Sequence, residues 1–141
     1  EYIKKNNFQA FESLTTTNLR YQFQDKDIVL ENWGELIELD KDGDYKQVRY
    51  STRVDYVPPL ETEKLKIFYQ SRKLLSELYC SSEFELRFKL QPGDIMMFDN
   101  HRLLHGRTAY DANEGMRHLQ GCYLEFDATD GKLRHLARKF K

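Results

Sequence analysis

Phe84, Leu86, Phe88 and Leu90 alternate with Glu85, Arg87 and Lys89, and Pro92-Gly93 then turns the chain back into the apolar run from Asp94 to Phe98. Successive side chains of a strand point to opposite faces, so this period of two predicts a half-buried strand followed by its return. The stretch from Gln91 to Asp127 continues through Asp99-Asn100 and His105-Gly106-Arg107. Arg117 lies twelve residues after His105, at the start of another strand-like run, Leu119 to Phe126. A histidine and an arginine displayed from two strands can hold a metal and an anion side by side.

Upstream, Ile3, Phe8, Phe11 and Leu14 form a partial helical stripe that runs to Thr15-Thr16-Thr17, where β-branched residues end it. Short strands are predicted at Leu19 to Phe23, Ile28 to Leu30 and Leu36 to Leu39. Asp40-Lys41-Asp42-Gly43-Asp44 departs from a calcium loop in the placing of its glycine and lacks the closing glutamate. A hairpin turn explains the same residues, with Gln47 to Thr52 as the returning strand. Pro58-Pro59 breaks the pattern. A helix follows, with Thr62 as N-cap and Leu65, Phe68, Arg72, Leu75 and Leu78 or Tyr79 at helical spacing. Leu133, Leu136, Ala137 and Phe140 predict a terminal helix.

Hydrophobic residues at 40% and mixed charges at 32%, net −1, describe a globular composition rather than a disordered one. The length of 141 residues suits one domain. With no basic block and no apolar run long enough to span a bilayer, nucleic acid and membrane are set aside as partners. Cys80 and Cys122 have no metal-finger or redox-pair spacing and are expected as buried thiols in a reducing compartment. The chain starts at Glu1, inside what reads as a helix, so it is expected to be a piece of something longer. Short strands and a few helices together predict a β-sandwich or jelly-roll core with helical decoration.

Gly106 would let a ligand approach the backbone beside His105, whose neutral imidazole is a competent metal ligand. Taken alone, His105 is better explained as a packed imidazole, and Arg117 as a surface ion pair. Their conjunction singles them out. His118 beside Arg117 would face the other way on a strand, and His135 with Arg134 and Arg138 suits a solvated helix face.

The runs Pro92-Gly93-Asp94, Phe98-Asp99-Asn100, Arg102 to Arg107 and Arg117 to Tyr123 resemble the C-terminal part of the γ-butyrobetaine dioxygenase and trimethyllysine dioxygenase family. The likeness is dense from Phe84 to about Arg138 and thinner towards Lys4-Lys5-Asn6-Asn7. These are Fe(II)- and 2-oxoglutarate-dependent oxygenases related to the taurine dioxygenase group. The resemblance implies a fold that is mainly β with flanking helices, a double-stranded β-helix or jelly-roll, of which residues 1–141 are the C-terminal part of one catalytic domain.

It further implies that His105 is the distal metal ligand of a two-histidine, one-carboxylate triad, that Arg117 anchors the remote carboxylate of 2-oxoglutarate, and that Tyr123 walls a box for a quaternary ammonium. A core tyrosine is the alternative for Tyr123. His101 falls where relatives often carry a bulky residue, which suits packing or a supporting place behind the metal ligands. The proximal His-x-Asp motif does not occur: the histidines are His101, His105, His118 and His135.

The activity implied for the parent is hydroxylation of γ-butyrobetaine to carnitine with O2, giving succinate and carbon dioxide. Trimethyllysine hydroxylation is the alternative, and a non-catalytic binding or dimerisation domain is a reading of another class. Ascorbate and a homodimer are carried along with the resemblance. A cytoplasmic location goes with the first activity and a mitochondrial one with the second. Half a β-helix also leaves sheet edges that expect partners.

Overall fold

The computed structural model describes residues 1–51, 53–109, 111, 113 and 118–140. They fall into two units, residues 1–105 and residues 106–141. In the first, the stretch predicted as one helix is two, α1 (Tyr2–Asn6) and α2 (Phe8–Thr16). Asn7 separates them. Its backbone leaves the helical region, and its Oδ1 accepts a hydrogen bond from the Ala10 amide at 3.0 Å, capping α2. The Thr15 and Thr16 hydroxyls donate back to the carbonyls of Phe11 and Glu12 as α2 ends.

Strands β1 (Asn18–Gln24), β2 (Val29–Glu35) and β5 (Asp55–Tyr56) make an antiparallel sheet in the order β2-β1-β5. Leu19 faces Gly34 and Phe23 faces Leu30 across β1 and β2. Alternation puts Leu19, Tyr21 and Phe23 on one side of β1. At one end of that face Leu19 is fully buried in the core, which also holds Phe11, Leu14, Leu36 and Ile37, with Phe68 and Leu75 from α3 (Thr62–Tyr79). At the other end Phe23 and Leu30 remain exposed. The stripe expected on α3 is therefore the buried one. Its N-cap position is Glu61, with Thr62 the first helical residue.

β3 (Ile37–Leu39) and β4 (Tyr45–Val48) form a second sheet, a hairpin. The Asp-Gly turn predicted between them is present. Asp40 Oδ1 accepts from the amides of Asp42 and Asp44 at 2.9 Å, and Gly43 takes the left-handed φ of +84° that a side chain would resist. The returning strand stops at Val48, short of the expected span, whose last residue, Thr52, lies outside the described residues.

Opposite Gln47, the Glu38 carboxylate binds Lys46, Gln47 and Arg49. The Lys46 hydrogen bond first, with Arg49 adding to it, holds the Glu38 carboxyl below its ordinary pKa despite partial desolvation. A depressed folded pKa means stability that is present above the unfolded value, about 4.3, and is lost as pH falls through the folded one. Chemical denaturation at about pH 5 and about pH 3 should therefore show a smaller acid loss for Glu38→Gln than for the wild type. Equal losses would exclude this role.

Three expected strands are corrected. Phe84 to Leu90, Asp94 to Phe98 and Leu119 to Phe126 are not in sheet pairing, and Phe126 instead opens α4 (Phe126–Lys139). Alternation specifies which side chains share a face, but a strand exists only when a neighbour takes its amides and carbonyls. Leu86 is 82% exposed and Ile95 93%. Between them the Pro92-Gly93 turn does form, with Gly93 at φ +92° and Asp94 Oδ2 accepting from the Gln91 amide. The described residues accordingly form two small antiparallel sheets and helices, with more residues in helix than in strand, and do not by themselves form the expected jelly-roll.

The predicted terminal helix is α4, in the second unit; it buries none of its residues there. Both cysteines are exposed, contrary to expectation, because Cys80 stands at the C-cap of α3 and Cys122 in the unpaired segment before α4. No helix among the described residues is long and apolar enough to cross a membrane.

Candidate metal and cosubstrate site

Asp99 organises the segment that carries His105. Its carbonyl accepts from the amides of Arg102 and Leu103 at 3.1 Å, and its Oδ1 accepts from the His101 amide at 2.9 Å. The resulting turn presents the His101 carbonyl to the Val48 amide at 2.9 Å, which ties the segment to the end of β4. His105 then comes back against Phe98, their ring centroids 4.9 Å apart.

Across from this segment run the last residues of β4 and the two that follow. Gln47, Arg49 and Tyr50 on one side and Asn100, His101 and His105 on the other line an open cleft of about 420 Å³. Arg49 is fixed from below: its guanidinium binds Glu38, donates to the Glu35 carbonyl at 3.3 Å and lies over the Tyr21 ring. Gly34 makes room for it, since a Cβ there would meet Arg49 Nη1 at 3.0 Å. Burial pushes the hydroxyls of Tyr21 and Tyr79 up to about 12, so both rings are neutral at physiological pH.

Of the residues singled out from sequence, His105 lies on the cleft wall, and so does His101, whose carbonyl accepts from the Val48 amide. Tyr123 belongs to the second unit, where it is 90% exposed. Arg117 lies outside the described residues. His118 is exposed and in no strand, and its relation to Arg117 lies outside the described residues. Gln47, Arg49 and Tyr50 were not foreseen. The one available signal was that an Asp-Gly turn returns β4 alongside β3, with nothing to say which later segment meets its end.

Among the described residues, no three of His, Cys, Asp and Glu gather as a metal site. His105 offers a single imidazole nitrogen donor, and iron held by a facial triad needs two further protein ligands. The described residues therefore do not by themselves hold the metal that the resemblance implies.

The chain belongs to the TauD/TfdA family: residues 1–123 match the model of the taurine catabolism dioxygenase TauD, TfdA family. This is a family of oxygenases with the double-stranded β-helix fold. Among individual relatives, the chain is similar to the γ-butyrobetaine dioxygenase of Homo sapiens, 35% identical over an aligned length of 144 that covers 97% of this chain and 37% of the relative. It is 25% identical to the γ-butyrobetaine dioxygenase of Pseudomonas sp. (strain AK-1) over 92% of this chain and 34% of the relative. A mitochondrial trimethyllysine dioxygenase of Mus musculus is 40% identical over 60 residues, 43% of this chain and 14% of the relative. The chain thus spans about a third of the length of the γ-butyrobetaine dioxygenases it matches.

Proposed function

We propose that the whole protein is an Fe(II)- and 2-oxoglutarate-dependent dioxygenase that hydroxylates γ-butyrobetaine to carnitine, and that these 141 residues supply one side of its active site. The observation that carries this reading is the placing of His105 against Phe98 on the wall of a polar cleft, within the motif that matches the family. His105 contributes one metal-binding imidazole. Arg117 pairs with the remote carboxylate of 2-oxoglutarate, and Tyr123 offers a ring face to a trimethylammonium group. The remaining metal ligands come from outside the described residues, and the segments from Phe84 onward find strand partners in a completed double-stranded β-helix.

Trimethyllysine hydroxylation is the second reading, favoured by the 40% identity to the murine trimethyllysine dioxygenase. Both substrates carry the same cationic head, so the box residue does not separate them. The test is succinate formation by the whole protein with Fe(II), 2-oxoglutarate and each substrate in turn. Turnover stimulated by γ-butyrobetaine supports the first reading and stimulation by trimethyllysine the second. Stimulation by neither removes both and leaves a non-catalytic domain. Location follows the activity, cytoplasmic for the first and mitochondrial for the second; ascorbate dependence and a homodimer are tested in the same preparation.

A further inference from the structure

We infer that Arg72 is a positioning residue that sets Tyr50 on the cleft wall, an inference that rests on the proposed function and takes the cleft as the substrate's side of that site. Arg72 sits on the apolar stripe of α3 between Phe68 and Leu75, where helical spacing buries it, and only 16% of its side chain is exposed. Nη1 binds Asp55 Oδ2 at 2.6 Å, and the Asp55 side chain is 3% exposed. Nη2 donates to the Ser51 carbonyl at 2.8 Å. The guanidinium carbon lies 5.7 Å from the centre of the Tyr50 ring, which meets Tyr79 edge-on at 5.3 Å.

A buried ion pair is a poor source of net stability, because desolvation of both charges offsets most of their attraction and an apolar pair of similar volume serves packing as well. What arginine adds is direction. Its planar fork holds two acceptors at fixed angles while its face stacks on a ring, which a lysine ammonium cannot reproduce. Asp55 pairs with Tyr21 of β1, so the clamp takes its bearings from the central sheet. Ser51, next to Tyr50, is the other point held. Tyr50 is thus fixed by Arg72, Tyr79 and its own neighbour, and it faces the same cleft as His101 and His105.

The test uses the whole protein as wild type, Arg72→Lys and Asp55→Asn. Carbon-13 tyrosine spectra locate the Tyr50 resonance by its loss in Tyr50→Phe, and half-saturation is measured separately for the trimethylammonium substrate and for the cosubstrate, 2-oxoglutarate. Both variants are expected to move the Tyr50 resonance. They should raise the substrate concentration at half-saturation about fivefold or more, while that of the cosubstrate stays within about twofold of the wild type. A merely structural role would lower the amount of active enzyme and leave both half-saturation points alone. That result overturns the inference, as does a Tyr50 resonance that stays in place. If the wild type turns over no trimethylammonium substrate, the functional reading fails and the substrate role falls with it, while the spectra still decide whether Arg72 sets Tyr50.

Discussion

Phe68→Ala is expected to destabilise the protein by about 3 to 5 kcal/mol, measured by chemical denaturation of the whole protein. Phe68 is fully buried near the middle of α3, in the same core as Phe11 and Leu14 of α2. Truncation removes the ring's transfer free energy and leaves a cavity in the core where α3 packs on α2, so collapse around it is limited. Domains of ordinary stability have about 5 to 15 kcal/mol in all. A loss of this size would therefore appear as a large drop in denaturation midpoint. Phe68→Leu, which keeps most of the volume, should cost much less, and equal effects would show that the ring is not packed as described.

Arg117→Ala should raise the 2-oxoglutarate concentration needed for half-saturation of the whole protein about 100-fold, equivalent to about 2.7 kcal/mol. The reasoning is chemical. A carboxylate brought out of water needs a charged, bidentate partner, and removal of the guanidinium leaves that carboxylate desolvated and unpaired. Arg117→Lys retains charge without the fork and should fall between wild type and alanine. Saturation by 2-oxoglutarate that is unchanged in Arg117→Ala would take the anchor role away from this residue.

Legibility followed the range of the interactions. The Asp40 to Gly43 turn and α3 could be read from sequence because their signals lie within a few residues: a side chain capping its own turn, and apolar positions at helical spacing. His105 stood out through its neighbour Gly106 and its distance from Arg117. The cleft opposite it could not be read, because the bond from the Val48 amide to the His101 carbonyl joins residues far apart in the chain and involves backbone alone. Asn7 was invisible for a smaller reason. Helical periodicity passes through an asparagine without a break, while its side chain competes with the backbone and caps a new helix.

Arg72 belongs to a different class of failure. Periodicity placed it on the buried stripe, where an arginine is out of character, but Asp55, which neutralises it, stands on another element. The alternating run from Phe84 to Leu90 failed in the opposite sense, its pattern clear and its partner missing among the described residues.

Where it lacks a sheet partner, that run is also a segment open to self-association. Phe84, Leu86 and Phe88 are each at least half exposed, with no proline from Phe84 to Leu90, which is the make-up of a segment that stacks with copies of itself. Glu85, Arg87 and Lys89 interrupt it, with Glu85 and Arg87 paired at 2.8 Å, and act as gatekeepers against such stacking. The protection is largely electrostatic and salt screens it, since the Debye length shrinks from about 10 Å at 0.1 M to about 3 Å at 1 M. Outside a completed sheet, self-association through this run is therefore expected to respond to salt through Glu85, Arg87 and Lys89 more than to net charge.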